Sequence, residues 1–149
     1  MSAGAVSRTD PSKGKQLKVV IEIGKRKTAV ARATVTQGFG RVWVNDIPIE
    51  VFPIELARIK MMEPLLLAGD SIRKSVDISV RVSGGGYMAQ AEAVRMAIAR
   101  GLAKFTGSEE LKQLFREYTR YMLSGDPRQT EPEKWMRYSA RRWRQKSYR

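Results

Sequence analysis

The 149-residue chain contains neither cysteine nor histidine. Without cysteine there are no disulfides and no thiolate metal ligands, which fits a reducing compartment. Without histidine the chain lacks the commonest metal ligand and the commonest general base at neutral pH. No metal site, no cofactor and no catalytic residue is expected, since no carboxylate pair stands out for acid–base work. Long apolar runs are missing as well. The longest uncharged stretch, residues 82–91, has ten residues, about half of what a membrane-crossing helix needs. The opening MSAGAVSRTDPSKGK has no apolar core segment, so no secretory signal is expected. Acidic residues are scarce, 15 against 28 Lys and Arg, leaving a net charge of +13. Such a surplus exceeds what solubility requires and points to a polyanion, nucleic acid before a membrane surface.

Hydrophobic residues make up 42% of the chain, enough for one packed domain. Residues 1–16, rich in Ser, Gly and Lys, read as a flexible basic arm. KVVIEIG (18–24) alternates Val19, Ile21 and Ile23 with Lys18 and Glu22, a strand pattern. TAVARATVT (28–36) and RVWVN (41–45), joined through GFG (38–40), read as a hairpin with one packed face. ELARIKMMEPLLLAGD (55–70) reads as a helix interrupted or restarted at Pro64 and stopped near Gly69. SVDISVRVS (75–83) is the cleanest strand. GGG (84–86) leads into a long helix, 87–105, with Ala91, Val94, Ile98, Leu102 and Phe105 on one stripe. Ser108 caps a further helix, 109–123. The expected architecture is α+β, with helices layered on a mostly antiparallel or mixed four-stranded sheet. It occupies 17–123 and continues into an extended basic tail, 124–149.

Two short motifs resemble nucleotide sites and fail on context. GKRKT (24–28) lacks the first glycine of a P-loop and runs into a strand rather than a helix. It remains a tight turn offering Lys25, Arg26 and Lys27, with Arg32 further along the strand, to a phosphate. SGGGYMA (83–89) fits the relaxed dinucleotide fingerprint, but a helix rather than a second parallel strand follows 87–105. Gly84, Gly85 and Gly86, with Gln90 beyond them, still allow close backbone approach at a helix N-terminus, where an RNA phosphate fits as well as a nucleotide. Simple packing of the turn onto the sheet is the other reading.

The C-terminus carries the strongest signal. After Glu133, seven cations (Lys134, Arg137, Arg141, Arg142, Arg144, Lys146, Arg149) interleave with Trp135, Tyr138, Trp143 and Tyr148. Such a run repels itself and is expected to lack shape until a polyanion meets it. Seven neutralised phosphates give a log–log salt slope of roughly −5 to −6. Aromatic and guanidinium planes can stack on unpaired bases, and the run extends up to ~55 Å.

With these residues in view, the chain resembles the universal S-nine family of small-ribosomal-subunit proteins, called S-sixteen in eukaryotes. The resemblance rests on GKRKTAVARA (24–33), GRVWVN (40–45), SGGG with QAxAxRxAIARxL (83–86 and 90–102), and ARR followed by Q-x-S-x-R (140–142 and 145–149). The KSYR ending is similar to archaeal and eukaryotic members. The family implies a fold like the second domain of ribosomal protein S-five, with a left-handed β-α-β crossover. It implies a place in the head of the small subunit on rRNA of the 16S type, beside neighbouring head proteins, with no membrane and no small-molecule substrate. It also implies that the tail tip, Lys146, Ser147, Tyr148 and Arg149, touches peptidyl-site tRNA. The rRNA ligands it implies are Lys25, Arg26, Lys27, Arg32, Gly84, Gly85, Gly86, Gln90, Lys134, Arg137, Arg141, Arg142, Trp143, Arg144 and Gln145. Ala89 stands where Gly is common, and Tyr148 where bacterial members carry Lys. Two other functions remain open on the residues alone: a free-standing nucleic-acid chaperone or compaction protein, and a nucleotide-binding enzyme using the 84–86 turn.

Overall fold

A computed structural model describes residues 18–143 together with Gln145 and Ser147. The sheet has five strands in the order β1-β2-β5-β3-β4: β1 Val19–Arg26, β2 Ala29–Gln37, β3 Val42–Val44, β4 Ile47–Pro48 and β5 Val76–Ser83. β1, β2 and β5 pair antiparallel, while β3 runs parallel to β5. The class is therefore α+β with a mixed sheet, as expected, but the strand count is five rather than four. The extra strand is two residues long and ends on Pro48. Its place at the sheet edge suits a residue without an N–H, and it is too short to leave a pattern in sequence.

The expected 28–45 hairpin does not form. β5 lies between β2 and β3, and the GFG segment crosses the start of β5 instead of joining two neighbours. Asp77 organises that crossing. Its carboxylate accepts the amides of Phe39 (2.8 Å) and Arg41 (2.9 Å) and pairs with the Arg41 guanidinium at 3.0 Å. Partial burial alone would raise the Asp77 carboxyl, but the Arg41 and Phe39 amides and the Arg41 guanidinium outweigh it and hold it below its ordinary value. At the far end of β3, Asn45 and Asp46 both take positive φ (47° and 65°), the geometry of a tight two-residue hairpin into β4.

One sheet face carries the core. Ala29, Ala31, Ala33 and Val35 of β2 line up with Val76, Ile78 and Val80 of β5 and Val42 and Val44 of β3, all buried. Helix α3, Tyr87–Thr106, lies on this face and is itself buried almost all round, with Ala91, Val94, Ile98 and Leu102 at 0–1% exposure. Small residues set the spacing. A Cβ on Gly24 would lie deep inside contact with the Ala93 carbonyl oxygen and 2.7 Å from the Ala97 amide nitrogen. The helix rests on bare backbone there. Helix α1, Glu55–Ala68, packs against α3. Pro64 sits inside α1 without ending it, and Gly69 (φ 82°) closes it before a short helix α2, Asp70–Ser75. Buried Arg95 of α3 reaches Glu63 of α1 at 2.6 Å.

The expected 109–123 helix is two. α4, Glu109–Tyr118, is capped by the Ser108 hydroxyl, which accepts from the Leu111 amide, and α5 is Tyr121–Ser124. Thr119 breaks them with an extended backbone (φ −158°, ψ 119°), which lets Leu111, Phe115 and Met122 all reach the core. The opposite sheet face has no helix over it among the described residues. Val19, Ile21, Ile23, Val30, Arg32 and Trp43 are exposed there.

Gly24→Ala is expected to cost about 3 kcal/mol, the upper end for an overpacked core, because backbone cannot rotate away from the new methyl. A lowered urea midpoint with an unchanged m-value would show it. A midpoint within error of wild type would refute the close seating of α3.

Candidate nucleic-acid interface

The GKRKT turn is two residues long. Arg26 pairs with Ala29 across it, and Lys27 adopts a φ of 52°. Lys25 and Lys27 are exposed, and neither meets a carboxylate among the described residues. Arg26 departs from the expected trio. Strand alternation puts it on the helix side of β1, the side of Val20 and Gly24, where Glu92 of α3 holds its Nε at 2.5 Å and Asp126 its guanidinium at 2.9 Å. Its side chain is only 13% exposed. Arg26 is thus a part-buried strut, and two cations rather than three face outward.

Arg32 is exposed on the uncovered sheet face, and the strand register puts Arg81 of β5 directly opposite. Neither has a carboxylate partner among the described residues. Like charges facing each other across strands destabilise a sheet, so this pair suits an anionic ligand. The glycine turn is tighter than expected. Gly84 (φ 77°) and Gly85 (φ 67°) pack on Thr28 and Ala29 of the first hairpin, and a Cβ on Gly84 would come within 2.5 Å of the Thr28 carbonyl oxygen. Gln90 donates to the Gly84 carbonyl at 3.1 Å. Packing therefore accounts for Gly84, Gly85 and Gln90. Only Gly86 faces open space.

The tail begins anchored. Asp126 takes a fork from Arg128 (Nε 2.9 and 3.0 Å, and the terminal nitrogen 2.6 Å) besides the bond from Arg26, and its carboxylate is 6% exposed. The Arg128 guanidinium, with its amide and Arg26 adding to the effect, lowers the Asp126 carboxyl from 3.8 to about 2. Glu92, Arg26, Asp126 and Arg128 make a chain of alternating charge with no net excess. It ties α3, the first hairpin and the tail root together.

Beyond the root, residues 131–143 carry local order that the repulsive run of charge concealed. Glu131 pairs with Arg141 at 2.9 Å and with Lys134 at 3.5 Å. Arg137 and Trp143 form an antiparallel bridge, and the Arg137 guanidinium lies 4.1 Å from the Trp143 ring centre. The Tyr138 amide donates to the Arg142 carbonyl, and the Arg142 amide to the Ser139 hydroxyl, both at 3.2 Å. A clasp results, with Trp135 91% exposed and Arg141 87% exposed around it. Gln145 and Ser147 are exposed. Arg144, Lys146, Tyr148 and Arg149 lie outside the described residues, as does the expected arm, 1–16. Sequence reasoning missed Arg81, Arg100, Arg120, Arg128 and Asp126. Arg81 was marked by its outward place in the alternating strand, whereas the others are brought together by packing alone.

An α+β body with outward-facing surplus cations and a cation–aromatic tail has the make-up of a polyanion-binding protein. Comparison with known proteins makes that specific. The family described as Ribosomal protein S9/S16 matches residues 24–149. The small ribosomal subunit protein uS9 of Desulfurococcus amylolyticus is 63% identical over 134 residues, covering 90% of this chain and 95% of that protein. The uS9 proteins of Sulfurisphaera tokodaii (61% over 134 residues, 90% and 98% covered) and Saccharolobus solfataricus (62% over 132, 89% and 96%) are similar to the same extent. The chain belongs to the S9/S16 family of ribosomal proteins. It is a structural component of the small subunit, at work in the cytoplasm, and not an enzyme.

The Asp126 carboxyl is ionised far more readily in the folded chain than at its ordinary 3.8. Its contribution is complete above about pH 4 and disappears as pH falls through about 2. Asp126→Asn is therefore expected to melt below wild type at neutral pH, with the gap closing between about pH 4 and pH 2. A gap that is constant over that range would show that the network contributes nothing through this charge.

Proposed function

We propose that the chain binds small-subunit rRNA in the head of the subunit through Lys25, Lys27, Arg32 and Arg81 of the body, the Gly86 end of α3, and the tail. The observation that carries this reading is the division of charge. Glu22, Glu50, Glu63, Asp77, Glu92 and Asp126 each meet a cation within the chain, while the outward cations of the turn and open sheet face do not, among the described residues. That surplus attracts phosphate and makes binding steeply salt-dependent. Lys134, Arg137, Arg141, Arg142, Trp143, Arg144 and Gln145 grip rRNA along the tail, with the exposed rings available for stacking. The tip, Lys146, Ser147, Tyr148 and Arg149, contacts peptidyl-site tRNA, Tyr148 through its ring or hydroxyl. Neighbouring head proteins complete the surroundings. The division of the chain is 1–16, 17–123 and 124–149, and the parallel β3-α1-β5 unit is the left-handed crossover of an S-five second-domain fold. Support for this reading comes from the uS9 relatives, which are named as small-subunit proteins, and from the unmatched cations. The packing of Gly84 and Gly85 on the first hairpin speaks against the nucleotide-enzyme alternative.

Sedimentation tests the core of the proposal: the chain should travel with small subunits in a gradient, and remaining at the top would refute it. Arg81→Glu separates stability from function. It turns a like-charge pair into an opposed one, so the isolated protein should gain about 0.5 kcal/mol while its rRNA affinity falls. Equal affinity for the two forms would remove the open sheet face from the interface. Deleting Lys146–Arg149 should leave the melting temperature within about 2 °C, since surface changes rarely exceed ±0.5 kcal/mol. The same deletion should speed tRNA loss from the peptidyl site; unchanged retention would refute the tip assignment.

A further inference from the structure

We propose that the groove between the β1–β2 turn and the α5–tail junction is a binding site for the sugar–phosphate backbone of RNA, formed by Lys25, Lys27, Arg100, Arg120 and Arg128. The proposal rests on the RNA-binding reading above and extends it from the GKRKT turn to Arg100, Arg120 and Arg128, which no motif marked. The groove has a volume of about 670 Å³ and is built from three separate segments: the turn, α3 at Arg100, and residues 120–129. That space holds several linked backbone groups rather than one phosphate.

Its charge is one-sided. The five cations give +5 and Asp126 gives −1, a net of +4. Asp126 is turned inward, 6% exposed and held by Arg26 and Arg128, so it presents little charge to a ligand. Arg100 donates to the carbonyls of Leu123 and Ile23, both at 2.7 Å. Those bonds fix the side chain without cancelling its charge. Arg128 is held in the Asp126 fork and lies 5.4 Å from the Tyr121 ring centre, yet its side chain remains 69% exposed. Lys25, Lys27 and Arg120 are exposed and have no carboxylate partner among the described residues. Two fixed guanidinium groups and three freer cations on a concave wall suit a chain of phosphates. Fixed donors lose little freedom on binding, and concave charge concentrates the field. The groove lies at the root of the tail, so RNA held there lies beside the segment that leads into the basic run.

The test uses the full chain and transcribed small-subunit rRNA, with affinity followed against salt concentration. One variant carries Lys25→Ala, Lys27→Asn and Arg120→Ala; Asn suits the positive φ at position 27. A charge-matched control carries Arg73→Ala, Lys74→Ala and Lys112→Ala, away from the groove. The groove variant is expected to lose about 2–3 from the magnitude of the log–log salt slope, and the control less than one. Equal slopes for the two would overturn the proposal and take Lys25 and Lys27 out of the interface, leaving rRNA binding to Arg32, Arg81 and the tail. If wild type binds rRNA without salt dependence, the underlying functional reading fails, and the groove with it. If the groove variant binds rRNA like wild type but is lost from assembled subunits, the groove holds an acidic protein partner and the RNA assignment is wrong. Melting curves monitor folding. Should the triple variant unfold, Lys25→Ala with Arg120→Ala is expected to lose about 1–2 in slope, and no loss would be equally fatal.

Discussion

The seat of α3 on bare backbone at Gly24 is the constraint on which the other features depend. With no side chain between them, strand and helix come close enough for Glu92 to catch Arg26 and for Arg100 to reach the Ile23 carbonyl. These contacts cross from helix to hairpin, so the helix sets the position of the turn that carries Lys25 and Lys27. The same helix holds the tail root, because Arg100 also grips Leu123. Shifting α3 outward by the width of a methyl group would loosen the hairpin, the groove and the exit of the tail together. Close packing here is thus a condition for charge placement as well as for stability.

Charge is distributed by depth. Near the core, cations and carboxylates are matched, as in Arg95 with Glu63 and Arg26 with Glu92 and Asp126. Buried or half-buried charge is tolerated only in company. At the surface charges of both signs stand unpaired among the described residues, Asp46, Glu55 and Asp70 included, but lysines and arginines without a carboxylate outnumber carboxylates without a cation. The protein on its own carries that imbalance as self-repulsion, most plainly where Arg32 faces Arg81. A polyanion removes the repulsion on arrival, so free protein and bound protein should differ in how comfortably the same side chains sit. The tail follows a related rule on a smaller scale. Glu131 and the Trp143 ring gather Arg141, Lys134 and Arg137 into a clasp, so part of the run has shape of its own before any partner is present.

Much of this was legible in the sequence. Alternation at 75–83, the apolar stripe of 87–105 and the Ser108 cap are local patterns, and local patterns survive folding. Pairing does not have that property. Residues 28–36 and 41–45 look like hairpin partners because GFG lies between them, yet Asp77 draws the Phe39 and Arg41 amides onto β5, and only the three-dimensional register shows that. β4 is too short for periodicity, and Thr119 breaks a helix whose composition runs on unchanged. Arg26 is the instructive case at the site. Composition groups it with Lys25 and Lys27, whereas strand alternation, once the inward face is known from Gly24, separates them. Gly84 and Gly85 were legible as glycines required by close approach, but what approaches them is Thr28 and Ala29 of the same chain.

The clamp on Asp126 has a mechanical meaning. The described segment beyond it leaves from a pivot set by two guanidinium groups at 2.6–2.9 Å, and its own order resumes at the 131–143 clasp. The five residue steps from Asp126 to Glu131 span at most ~17 Å, so the pivot limits how far the clasp can stand from the body. Placement of the clasp is therefore decided at the hinge, by a carboxylate held within the body.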